Sequence, residues 1–126
     1  MADFKPQTQT TTTIEGISLT EFNVTGSATN VVDSTKTTIV SQAYVAGTFE
    51  NLTLVSVSGE NYAKFFVTLN AVDIDIRRSG PDRNVEFNYT GAPYKLVVGD
   101  IVDIKVEHFN IGTLVDFDAT IYGYPA

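Results

Sequence analysis

Few side chains in this sequence could do chemistry. His108 is the single histidine, so any Ser-His-Asp arrangement or imidazole metal site would have to use it. No nucleophile motif accompanies it: GxSxG, HExxH and the phosphate-binding P-loop are all absent. Alternation puts His108 on the same face as Val102, Ile104 and Val106, at a strand end beside the turn Phe109-Asn110-Ile111-Gly112. A histidine in that position ordinarily caps a core or touches a neighbouring chain, and no catalytic role is expected.

The carboxylates repeat at a spacing that invites a calcium reading. Asp73/Asp75 and Asp116/Asp118 each set two acids at i, i+2, which on a strand lie on one face ~7 Å apart. Calcium wants about six to eight oxygens converging from a loop, so solvated strand faces that blunt edge pairing are expected and no metal or cofactor is. A glycosidase pair is not singled out among so many acids. Tryptophan is absent, so any sugar stacking would fall to Tyr44, Tyr62, Tyr89, Tyr94, Tyr122 or Tyr124. Arg77, Arg78 and Arg83 bracket the turn Ser79-Gly80-Pro81-Asp82. They form a candidate partner-binding tip for an acidic surface or a phosphate, or a solvated tip partly neutralised by Asp75, Asp82 and Glu86.

These residues must be held by something, and the composition says what. The 126 residues fit one domain with a sizeable core. The net charge of -7 repels phosphate backbones, so nucleic acid is not an expected partner. Zero cysteines exclude disulfides and thiolate metal sites. Met1 to Pro6 is short and polar with no apolar run behind it, so neither a signal peptide nor a membrane helix is expected.

With 17 Thr, 15 Val and 9 Ile against 6 Leu, residue choice favours extended backbone. No segment sustains a helical apolar period. Strands are predicted over 14–25, 37–46, 49–57 and 62–71, with a loop over 26–34. Val72, Ile74 and Ile76 alternate inward against Asp73, Asp75 and Arg77, and with Val85, Phe87 and Tyr89 this stretch predicts a hairpin. Residues 94–98 predict a further strand. Val102, Ile104 and Val106, then Val115, Phe117, Ala119 and Ile121, face the core in the last two. Eight or nine strands without helices imply an all-β, antiparallel, jelly-roll-like β-sandwich over residues 14–126.

Residues 1–13 differ. Gln7 to Thr13 is a low-complexity Gln/Thr run, so this segment is expected to be an extended polar N-terminal arm, unable to fold alone. Phe4 is its one large apolar anchor, with Lys5, Pro6, Thr10 and Thr12 as further candidate contact positions. At the other terminus Tyr122 and Tyr124 flank Gly123 with the outward parity of Leu114. Together with His108 they are expected to line a subunit interface.

The segment Tyr94-Lys-Leu-Val-Val-Gly-Asp-Ile-Val-Asp-Ile-Lys-Val-Glu-His-Phe109, followed by Val115 to Tyr124, resembles the closing strands of small jelly-roll proteins of tailed phages. Capsid decoration (cement) proteins share the wider layout of a polar arm and a compact β body. The resemblance implies a structural, non-enzymatic protein on the capsid exterior of a virion. It would be a homotrimer whose partners are its own copies and the major capsid protein, and its arm would contact the capsid or cross between subunits. A fibre tip or a carbohydrate-binding β-sandwich module is the alternative.

Overall fold

The structure is a computed structural model. It describes residues 9–14, 17–44, 50–59, 62–79 and 84–125, the first two strands only as far as Glu21 by their backbone. Ten strands follow in order: β1 (Gln9–Ile14), β2 (Ile17–Val31), β3 (Thr37–Ala43), β4 (Asn51–Gly59), β5 (Ala63–Leu69), β6 (Val72–Arg78), β7 (Asn84–Asn88), β8 (Tyr94–Lys95), β9 (Ile101–His108) and β10 (Val115–Tyr124). No helix occurs among the described residues.

Two antiparallel sheets pack face to face. One has the order β1-β2-β10-β4-β7, with β8 beside β4, and the other β3-β9-β5-β6. Leaving aside β1 and β8, each sheet holds four strands, and successive strands cross between sheets except at β5–β6. That is jelly-roll topology, as the sequence led us to expect. The β5–β6 turn is formed by Asn70 and Ala71 at φ 52° and 67°, the left-handed pair that matches strand twist in a two-residue hairpin.

Apolar faces meet between the sheets. Phe65, Val67, Val102, Ile104 and Val106 from one layer and Val55, Val57, Phe87, Phe117 and Ile121 from the other are buried. The alternation of β9 and β10 was therefore legible. That of β6 was not. Val67 pairs with Asp75 but Thr68 with Asp73, so Ile74 is an extra residue in the ladder. This bulge re-phases the strand. Ile74 packs against the core, but Val72 is 64% and Ile76 49% exposed, correcting the inward reading of both. Ile104→Ala is accordingly expected to cost ~2–5 kcal/mol in a urea titration through transfer and cavity terms. Ile76→Ala should cost less than ~1 kcal/mol. Equal costs would mean that the bulge is misplaced.

Three further expectations are corrected. β6 and β7 do not form a hairpin, because β6 is an edge of one sheet and β7 an edge of the other. Residues 26–31 are strand rather than loop. Ser27, Thr29 and Asn30 face out, and Ser27 donates to Asp118 next to the Thr25–Thr120 contact at 2.9 Å. Gly26 sits inward, where a Cβ would come within 2.6 Å of the Ile39 carbonyl oxygen. Residues 96–98 lie outside the two-residue β8.

Phe66 also breaks the simple in–out rule. It faces away from the core yet is buried. Lys36 reaches over its ring, with Nζ 4.1 Å from the centroid, and binds both carboxylate oxygens of Asp73 at 3.0 and 2.8 Å. The lysine stem covers the ring while the ammonium stays near water.

Candidate functional site

The strand directions gather the ends of β2, β4, β6 and β9 and the starts of β3, β5, β7 and β10 at one end of the sandwich. His108 organises this end from inside. It ends β9 on the core face and is fully buried. Its Nε2 lies 2.7 Å from the Val31 carbonyl, and its Nδ1 accepts from the Asn110 N–H at 3.3 Å. The carbonyl requires a proton on Nε2 and the N–H requires none on Nδ1, so the neutral imidazole satisfies both. The ring rests near Phe117, with centroids 5.9 Å apart. His108 therefore caps the core and offers no surface to a neighbouring chain, which corrects its placement at a subunit interface.

The outer turn is pinned to the same clamp. Ser34 N–H donates to the His108 carbonyl at 2.7 Å, and Gly112 N–H to Asp33 at 3.2 Å. Held there, the 109–114 loop presents Phe109, Ile111 and Leu114 to solvent.

Beside it opens a cleft of about 500 Å³ lined by Tyr62, Ala63, Arg78, Ser79, Phe109 and Asn110. Its floor is the mouth of the β5–β6 hairpin. Ser79 N–H donates to the Ala63 carbonyl at 3.0 Å, and Ala63 N–H to Ser79 Oγ at 2.9 Å. Tyr62 and Phe109 stand on its rim, 54% and 49% exposed. Arg78 carries no ion pair with another described residue.

The expected arginine tip is divided. Arg77 pairs with Phe65 and Arg78 with Lys64, so the two point to opposite faces of β6. Arg77 lies over the Phe87 ring, 5.8 Å from its centroid. Arg78 alone reaches the cleft, and Arg83 lies outside the described residues. The paired carboxylates are separated too. Asp73 binds Lys36, and past the bulge Asp75 accepts from the Tyr89 hydroxyl at 2.8 Å. Asp116 accepts from Asn30 N–H at 2.9 Å and Asp118 from Ser27. Among the described residues no group of three or more His, Asp or Glu converges as a metal site.

Of the expected interface residues, Leu114 is exposed and begins the end carrying the cleft. Tyr122 and Tyr124 are half-buried near the far end of β10. At ~3.3 Å per residue the strand holds them well over 20 Å from Leu114, so these positions do not form one patch. Thr10 and Thr12 sit in β1, opposite Glu21 and Leu19 of β2. Phe4, Lys5 and Pro6 lie outside the described residues. Tyr44 is buried, which removes it from the candidate stacking platforms.

Tyr89 closes the open edge between the sheets. Burial, then the hydrogen bond and the negative charge of Asp75, push its phenol well above the ordinary tyrosine range. Tyr94 meets its ring edge-on at 5.2 Å. A phenol whose folded pKa is raised stabilises the fold fully below the unfolded value of ~10 and loses that contribution as pH rises above it. Tyr89→Phe is expected to cost ~1–2 kcal/mol at neutral pH and to flatten the fall in melting temperature between about pH 9.5 and 11. An alkaline arm as steep as in the parent protein would contradict the assignment.

No family model, curated protein or solved structure matches this chain. Sequence reading missed the cleft because Tyr62, Arg78 and Phe109 sit at the boundaries of three separate strands. The available signal was a lone aromatic at each of two strand boundaries, visible as a pair only once β5 and β9 are known to be neighbours.

Proposed function

We propose that this chain is a structural protein of a virus particle, a decoration protein of a tailed-phage capsid that binds the assembled head from outside as a homotrimer. One observation carries the reading. β2 pairs with β10 only from Phe22 to Val31, whereas β1 pairs with Ile17 to Phe22. The β1–β2 hairpin therefore projects beyond the edge of the sheet's main ladder. A two-stranded hairpin is marginal by itself, and one edge of β1 keeps its backbone groups available to another chain. The polar Gln/Thr composition suits such a strap, whose threonines favour extended backbone.

The mechanism is mass action: a protein that binds only the assembled lattice lowers that lattice's free energy, and three straps per trimer add avidity. Deleting residues 2–14 is expected to leave the melting temperature of the body nearly unchanged and to weaken attachment to particles about tenfold or more. Co-sedimentation of the two forms with heads measures this. Equal decoration by both would remove the strap, and recovery in only a few copies per particle would place the protein on a fibre instead.

A further inference from the structure

We propose that the cleft between Tyr62 and Phe109 binds a sugar ring bearing a carboxylate, such as a uronate or a sialate of a surface glycan. The inference stands independently of any attachment to a capsid. A cleft of about 500 Å³ is of ligand-pocket size and holds one or two rings. Its rim carries two aromatic side chains, each about half exposed, which offer apolar faces to the C–H side of a pyranose and have few rotors to freeze. Among the described residues that line it none is acidic, although the chain carries a net charge of -7.

The cation at the cleft is an arginine. Its planar fork matches a carboxylate with two parallel hydrogen bonds. Arg78 is exposed, and its cross-strand neighbour is a second cation, Lys64, with Glu107 on the far side of that lysine. Among these described neighbours the balance of charge favours an anion. Asn110, also in the lining, supplies an amide for ring hydroxyls.

Two features separate a sugar from an acidic peptide. The Ala63 N–H and carbonyl are both engaged by Ser79, so at the floor an incoming strand meets no open ladder of the kind extended peptides use. The Asn110 side is also held beforehand, because its N–H is bound to the buried His108 ring. A preformed, short pocket suits a compact, rigid ligand, for which little ordering entropy is lost on binding.

The test is titration calorimetry and ligand-observed NMR on the full chain with digalacturonate and sialyllactose, alongside lactose and an acidic hexapeptide. One of the two acidic sugars is expected to bind with a Kd of roughly 0.1–1 mM and lactose at least about tenfold more weakly. Arg78→Gln and Phe109→Ala should each weaken the acidic sugar about tenfold, and Arg78→Lys, which keeps the charge without the fork, should fall between. Lys95→Gln, outside the cleft, should change nothing. Melting curves confirm that the exposed substitutions leave the fold intact. Four results would overturn the proposal: no saturation by either acidic sugar at about 10 mM, equal binding of lactose, preference for the peptide, or indifference to Arg78→Gln.

Discussion

Gly59→Ala is expected to remove ~3 kcal/mol or more of stability, the upper end of what overpacking costs. Gly59 ends β4 directly opposite Phe117 of β10. A Cβ there would lie 2.1 Å from Phe117 Cδ1 and 2.4 Å from Cε1, distances at which the ring must move. It has nowhere to go. Phe117 is fully buried, with Phe65 edge-on at 5.8 Å and His108 at 5.9 Å. Against a total stability of about 5–15 kcal/mol for such a domain, this loss should be plain in soluble yield and in the urea midpoint. Gly91, whose added Cβ would meet nothing within 4 Å, is the control, and Gly91→Ala should change stability by less than ~1 kcal/mol. Adding Phe117→Leu to Gly59→Ala should recover part of the loss, since the two positions compete for one volume. A Gly59→Ala protein with an unchanged midpoint would mean that the ring does not lie over this glycine.

His108→Ala carries the second large effect, ~3–5 kcal/mol. Part is the cavity left beside Phe117. The rest is the Val31 carbonyl and the Asn110 N–H, both inside the clamp and both stripped of their partner. Amide hydrogen exchange tells this apart from simple loss of volume. Protection at Asn110 should collapse more than protection at Val106, which lies in the β9 ladder. A cost below ~1 kcal/mol, or uniform loss of protection, would show that the imidazole only fills space.

The sequence made the fold class visible and left the connections hard to read, for physical reasons. β9 and β10 alternate because one face of each meets the core and the other meets water. β6 carries the same alternation in its letters, yet one bulge at Ile74 sends Asp75 and Arg77 to the face that apolar residues were expected to occupy. Nothing in local composition announces a single extra residue. The end of β2 looks like a loop in the sequence because Gly26, Ser27 and Asn30 are turn formers. There the glycine answers to the close approach of Ile39 and Val40, and the serine to a side-chain ladder with Asp118. The place of His108 on the core face of β9 was legible from the strand's alternation. Its burial was not, because the carbonyl that holds it belongs to Val31, on a strand far away in the chain. The cleft was invisible for the same reason.

The placement of β10 also governs when the protein can become itself. β10 is the last of the ten described strands in chain order and lies in the middle of its sheet, between β2 and β4. Until it arrives, those two strands have no bridge, and the faces of Phe65 and Val67 have half of their opposing layer missing. During synthesis, then, the preceding strands wait with open edges and exposed apolar surface. Folding is gated by closure between β2 and β10, strands far apart in sequence and the slow kind of contact. A chain cut short before β10 is therefore prone to aggregate rather than to fold as a slightly smaller sandwich.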